Sequence, residues 1–404
     1  MHEPDGFRFD YRPGAIRVGT GCVAELGAEL DRRGLDRALL VAGRTVGTTP
    51  AVVDPIRAGL GDRLAGEFSE TTPAKTLGAA LAGLRAARDD GADAVVAVGG
   101  GSTLDTATVL RALSSHGDDA EAVAREAVET GTLPVAPDGT LLPVVAVPTT
   151  LAGADLSDMA GVTLTLDRDV SDGEAPRTGG VRDPRLLPTA AYYDADLYRT
   201  TPTPLLAASA MNGFDKGIEA LYSPLATPIT DGTASRGLAL LRSGLGTIRE
   251  EPMDDGRLAD VLAGIVAVQY GLTGTEGYRA SLVHAFGHGF SHGYDVHQGT
   301  IHGIVAPHVL RYVFDRVDGR RDLLASALGV ADHGTAPADA VIDAVAGVRD
   351  DLGLPRRLRD LDGVDRADFA SVARAIRDDD LLAVAPAGLD PSVDEITAVL
   401  DRAW

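Results

Sequence analysis

The sequence predicts an α/β domain built on a parallel sheet, followed by an all-α domain. Three observations carry this. Short apolar runs recur in the N-terminal half, at Ala38–Ala42, Asp93–Val98 and Pro143–Pro148. Runs of that length bounded by turn residues read as strands buried on both faces. Helix-spaced segments separate them, and a strand–helix–strand rhythm builds a parallel sheet. Beyond Pro202–Pro204 the patterns are long and helical as far as Trp404, with no convincing buried strand. The boundary is therefore placed near residue 200, giving domains 1–200 and 201–404.

In chain order, residues 8–19 read as one or two short strands or a hairpin, and Gly21–Arg33 has helical spacing. Thr49–Gly59 begins a helix with Pro50 near its start, where a missing N–H costs nothing. Phe68 lies in a short strand, and Thr76–Asp90 is an amphipathic helix. Gly117–Thr140 is acidic, with a loop at Pro134–Gly139. Residues 161–196 hold further short strands around a turn-rich surface excursion, DRDVSDGEAPRTGG.

The chain has 404 residues, 48 glycines and one cysteine, Cys22, and carries a net charge of −22. That length supports a large core, and a lone cysteine excludes a disulfide framework or a multi-cysteine metal site. Only Lys75 and Lys216 are lysines; the other cations are arginines. An acidic, lysine-poor surface suits concentrated salt, and it repels the phosphates of nucleic acid. The polar, acidic N-terminus is unlike a signal peptide, and no apolar run reaches the ~20 residues of a membrane span. A cytoplasmic, salt-adapted enzyme is expected, acting on a small molecule, with no membrane partner.

Six of the nine histidines fall between residues 284 and 308: His284, His288, His292, His297, His302 and His308. Imidazole ligates metals and carries protons near neutral pH. His284 and His288 share a helical face. The interleaved glycines suggest close backbone approach, a break near Gly293, and a second element from about Thr300.

Gly99-Gly100-Gly101-Ser102 follows a strand and precedes a helix over Thr103–Leu113. Helix N-terminal N–H groups favour an anion, so this reads as a pyrophosphate cradle, with Ser102 and Asp105 as a capping box. Thr149 and Thr150 end the strand at Pro148, where ligands bind in open parallel sheets, and read either as ligand-facing hydroxyls or as a simple Pro–Thr turn. Asn212 and Lys216 share one helical face. Lys216 reads either as a functional cation or as a surface lysine in ion pairs with Asp215 and Glu219.

VVAVGGGSTLDTA at 95–107, VVAVPTTLAGAD at 144–155, the helix at 211–221 and HAFGH…HVLRY over 284–312 together resemble the iron-containing (group III) alcohol dehydrogenase superfamily. Within it they resemble the maleylacetate reductase-like branch, which works without metal; dehydroquinate synthase is a more distant relative. The resemblance implies a Rossmann-like N-terminal domain, a helical C-terminal domain, a site in the cleft between them, and hydride transfer between NAD or NADP and a carbonyl or alcohol. It also implies a homo-oligomer, with a dimer as the expected form.

The metal-binding members use an Asp and a His four apart, the first His of an HAxxH motif, and a His fourteen residues further on. Those positions fall on Asn212, Lys216, His284 and Gln298. A protonated lysine repels a divalent cation, so the resemblance argues against iron or zinc in this chain, unless His284, His288 and His297 form a rearranged site. The resulting expectation is that Lys216 supplies the positive charge, His284 or His288 relays a proton, and Asn212, Gln298 and His302 complete the catalytic set. Gly99, Gly100, Gly101, Ser102, Asp105, Thr149 and Thr150 would hold the cofactor. Arg44, after Ala38–Ala42, reads either as a holder of a 2′-phosphate, which leans towards NADPH, or as a solvated arginine. A metal-dependent dehydrogenase, a cyclase using NAD transiently and a nucleotide-binding regulator remain as alternatives.

Overall fold

The structure is a computed structural model describing residues 9, 14–170, 177–273, 280–291, 293–331 and 334–404. It divides into two compact units, Pro13–Thr201 and one built on Pro202–Trp404. The ring of Phe9 lies 6.2 Å from that of Tyr270 in the helical unit.

The first unit has strands β1 (Ala15–Val18), β2 (Ala38–Gly43), β3 (Leu64–Thr71), β4 (Ala94–Gly99), β5 (Val144–Pro148), β6 (Met159–Thr163), β7 (Thr178–Arg182) and β8 (Ala190–Tyr193). Its helices are α1 (Leu26–Arg32), α2 (Arg44–Gly47), α3 (Pro50–Leu60), α4 (Leu77–Asp89), α5 (Gly101–Ser114), α6 (Ala120–Thr130) and α7 (Ala195–Tyr198). Six strands form one parallel sheet in the order β1-β8-β5-β4-β2-β3. The apolar runs of β2, β4, β5 and β8 are buried almost residue for residue, as a sheet covered on both faces requires. Val96, Val98, Val145 and Val147 pack with Leu26, Leu30, Val52 and Ile56 from α1 and α3. The chain leaves β2 towards β3 on one side and later continues from β4 to β5 on the other. The β2/β4 boundary is therefore the switch point, where open parallel sheets bind ligands.

β1 is a short strand within the stretch read as one or two strands or a hairpin; it pairs with β8, and residues 8 and 10–13 lie outside the described residues. The acidic stretch contains α6, which ends at Gly131 in a left-handed conformation (φ 83°). β6 and β7 form a separate antiparallel pair, and the excursion's residues 171–176 lie outside the described residues.

The second unit is helical: α8 (Thr203–Tyr222), α9 (Pro228–Gly244), α10 (Asp255–Leu272), α11 (Leu282–Ser291), α12 (Gln298–Phe314), α13 (Arg321–Ala327), α14 (Pro337–Asp351), α15 (Phe369–Arg377) and α16 (Val393–Ala403). α8 is buried all round from Leu206 to Tyr222, the signature of a central helix. The histidine-rich stretch folds as α11, a turn at Gly293, and α12 starting at Gln298, two residues earlier than expected. Its glycines serve helix contacts. A Cβ on Gly299 would lie 1.8 Å from the Ala208 carbonyl oxygen, so α12 rests directly on the α8 backbone. Among the described residues no helix is long and apolar enough to cross a membrane.

Candidate active site

In the first unit, β4 runs into the triple-glycine turn at the switch point. Gly99 has φ +148°, and the N-cap of α5 is Gly100, with no side-chain cap. α5 therefore starts two residues before the expected Thr103, and the Ser102–Asp105 capping box does not form. Ser102 already lies in the first turn, and Asp105 instead pairs with Lys75 Nζ at 2.9 Å. The turn is held from below. Thr149 N–H donates to the Gly99 carbonyl (3.0 Å), and Thr103 and Thr71 hydroxyls meet at 2.9 Å. A Cβ on Gly100 would come within 3.1 Å of Thr150 Cγ2. The uncapped, side-chain-free N-terminus fits a dinucleotide phosphate. Arg44 begins α2, is exposed, and pairs with Asp169 at 3.2 Å.

In the second unit, α8 presents Asn212, Asp215, Lys216 and Glu219, all buried. Lys216 is only 9% exposed, which removes the reading of a solvated surface lysine. Asn212 Nδ2 donates to Gln298 Oε1 across the α8–α12 contact at 3.3 Å. Glu219 accepts four hydrogen bonds: from Ser281 N (2.8 Å), Val283 N (2.7 Å), Tyr222 OH (2.9 Å) and His284 Nδ1 (2.6 Å). An acceptor-only carboxylate there fixes the proton of His284 on Nδ1 and leaves Nε2 with its lone pair. Among the described residues that Nε2 has no hydrogen-bond partner.

The His284 and His302 rings lie 4.4 Å apart, and His302 Nδ1 is 3.4 Å from Asp215 Oδ2 without hydrogen-bond alignment. Burial, reinforced by the Glu219 charge, raises the Asp215 carboxyl well above its usual range. Burial likewise pushes His302 well below the usual imidazole range, with neighbouring histidines and the Lys216 charge adding to it. His284 is lowered for the same first reason, opposed by Glu219. The result is a buried pair of neutral imidazoles beside a lysine.

His288, one turn along α11, is different: it reaches solvent and donates or accepts through Nδ1 with Asp379 at 2.8 Å. His297 is exposed at the N-cap of α12, and His292 lies outside the described residues.

Residues 13–195 match the model of the iron-containing alcohol dehydrogenases, and residues 206–404 match that family's C-terminal model. The chain belongs to the iron-containing alcohol dehydrogenase family. The lactaldehyde reductase of Escherichia coli K12 is 27% identical over 396 residues, covering 96% of this chain and 97% of that protein. The maleylacetate reductase of Pseudomonas knackmussii is 29% identical over 359 residues, covering 88% and 87%. A crystal structure of a 1,3-propanediol oxidoreductase superposes with a TM-score of 0.84 over 99% of this chain and 100% of that one, at 24% identity, and shows the same fold. This iron-containing alcohol dehydrogenase family member is accordingly an oxidoreductase acting on CH–OH or C=O groups.

The family name implies iron, and the donor set does not fit it. The ligand positions hold two carboxamides bonded to each other, a lysine, and one imidazole. His284, His288 and His297 do not gather either: among the described residues no three His, Cys, Asp or Glu side chains are placed to hold a metal ion. Of the site residues expected from sequence, the helical unit assembles Asn212, Lys216, His284, Gln298 and His302, with His288 at their solvent end. Glu219, Asp215, Asp379, Lys75 and Thr103 were not singled out as functional. Asp215 and Glu219 carry a signal in their places beside Lys216 on one helix, and Lys75 carries one as one of only two lysines.

Proposed function

We propose that this protein is a reductase of small carbonyl compounds that uses NADH or NADPH and in which Lys216 takes the electrostatic duty of the family's metal ion. The carrying observation is Lys216 itself, buried at a ligand position beside the buried His284 and His302, with Asn212 and Gln298 bonded to each other.

Carbonyl reduction builds negative charge on oxygen, and a fixed cation in a dry site stabilises that charge far more than one in water. The bound nicotinamide supplies the hydride. Lys216 polarises the carbonyl and gives a proton to the nascent alkoxide. Asn212 and Gln298 orient the substrate. His284, held as the Nδ1–H form by Glu219, offers Nε2 as an acceptor, with His302 packed against it. In the sheet unit, Gly99, Gly100, Gly101 and Ser102 receive the phosphates, with Asp105, Thr149 and Thr150 around them. Arg44 at the end of β2 supports NADPH, which would displace Asp169 from it.

The lactaldehyde and maleylacetate reductases among its relatives favour a small aldehyde or keto acid, and a cation at position 216 favours one bearing a carboxylate. The acidic, lysine-poor composition supports the cytoplasm of a salt-accumulating cell. Among the described residues β1 is an edge strand with Ile16 and Val18 exposed, which supports a homo-oligomer.

The test is metal analysis of the purified protein together with NADH and NADPH oxidation on a panel including lactaldehyde and maleylacetate, with and without chelator. Turnover unaffected by chelator is expected. Stoichiometric iron or zinc with chelator-sensitive turnover would overturn the reading.

A further inference from the structure

We propose that Asp379 is the positioning residue of a His288–Asp379 pair that carries protons between solvent and the buried Lys216–His284 site during carbonyl reduction. The proposal rests on the reading of Lys216 as proton donor. Each carbonyl reduced to an alcohol takes a hydride on carbon and a proton on oxygen. A Lys216 that has given up its proton is a neutral amine and must recover one from water before the next turnover. Lys216 and His284 are buried, so the proton has to cross from the surface.

His288 is placed for that crossing. It lies one helical turn from His284 on the same face of α11, and its side chain is 44% exposed. Asp379, 15% exposed, sits against its inner nitrogen, with Nδ1 and Oδ2 2.8 Å apart. A carboxylate there keeps the neutral ring's proton on Nδ1, so Nε2 is the atom that takes up and releases the carried proton.

The carboxylate is itself fixed. Its other oxygen, Oδ1, accepts from Leu381 N at 2.8 Å and caps the short turn Asp380–Val384. Its own N–H donates to the Ile376 carbonyl at 3.2 Å. α11 is pressed onto this segment at Gly289, where a Cβ would fall 2.5 Å from Ile376 Cγ1. A second tie, Tyr294 OH to Asp368 Oδ2 at 2.8 Å, joins the chain just after α11 to the start of α15. An exposed histidine with a surface ion pair alone would not call for this support.

The two oxygens of Asp379 have separate duties, so one substitution separates them. Asp379→Asn keeps an oxygen for Leu381 N and turns an amide donor towards His288. The ring must then carry its proton on Nε2. In protein labelled with 15N-histidine, the His288 signal is assigned by its loss in His288→Gln. The wild type is expected as the Nδ1–H tautomer and Asp379→Asn as the Nε2–H tautomer.

With NADPH or NADH and either lactaldehyde or maleylacetate, kcat of Asp379→Asn should fall by about tenfold or more while KM changes by less than about threefold. Asp379→Glu should recover both the tautomer and part of kcat. An Asp379→Asn protein with the wild-type tautomer, or with the switched tautomer and full kcat, overturns the proposal. The tautomer measurement needs neither substrate nor Lys216. If Lys216→Met keeps full turnover, the proposed function fails while the Asp379 result still stands or falls by itself.

Discussion

Glu219 offers the sharpest stability test of the helical unit. Its side chain is fully buried, and its oxygens divide the work: Oε1 takes Val283 N and Tyr222 OH, and Oε2 takes Ser281 N and His284 Nδ1. Glu219→Gln is nearly isosteric, yet the amide can accept on one side only. If its NH2 faces the Oε2 side, His284 can change tautomer, but the Ser281 N–H is left opposing a donor. If it faces the Oε1 side, the Tyr222 hydroxyl can rotate, but the Val283 N–H is left unpaired. Either way one buried backbone N–H is orphaned and one charge-assisted bond lost, at about 2–4 kcal/mol together. For a unit of roughly 150–250 residues that corresponds to a melting temperature lower by about 4–16 °C. Glu219→Ala strands all four donors and should cost about 4 kcal/mol or more. Differential scanning calorimetry reads both. A Glu219→Gln protein melting within about 2 °C of the wild type would refute this division of the four donors between the two oxygens.

Gly299→Ala forces a Cβ to 1.8 Å from the Ala208 carbonyl oxygen, and α12 must lift off α8 to admit it. A loss of about 3 kcal/mol or more in urea unfolding is expected, together with lost activity through Gln298. Gly100→Ala meets only the Thr150 side chain, its methyl at 3.1 Å and its hydroxyl at 3.4 Å, so folding should survive while nicotinamide binding by calorimetric titration weakens. His308 is lowered from 6.5 to about 4, by burial first and then by Arg402, Arg349 and Arg311. The unfolded chain therefore takes its proton first, and stability falls as pH drops from about 6.5 towards about 4. His308→Gln should flatten that decline in denaturant midpoints.

Much of the sheet unit was legible because its strands are short apolar runs buried on both faces and its helices are punctuated by glycine and proline. β2, β4 and β5 lie where their valines and leucines are. α6 was not, because its acidic outer face masks a thin apolar stripe formed by Ala120, Ala124 and Ala127. The start of α5 was misplaced because Ser102 and Asp105 satisfy the local pattern of a capping box, whereas the partner that claims Asp105 is Lys75, thirty positions earlier. The same distinction governs the site. Asn212 and Lys216 are readable together because four residues bring them onto one helical face. That Gln298 would bond Asn212, that Glu219 would gather Ser281, Val283 and His284, and that Asp379 would meet His288 depends on helix packing and not on sequence spacing. The glycines of the histidine-rich stretch signalled close approach, and the structure supplies the partners: Gly299 against Ala208, and Gly287 against His302 and Gln298.

The most direct measurement compares wild type, Lys216→Met and Lys216→Arg in steady-state NAD(P)H oxidation, with the metal content of each preparation determined in parallel. Methionine keeps the bulk without charge, and arginine keeps the charge with a different shape. Loss of about 10²–10³ in kcat for Lys216→Met, with partial activity in Lys216→Arg and no stoichiometric metal in any of them, is the expected result. Full turnover by Lys216→Met alongside bound iron or zinc would contradict it.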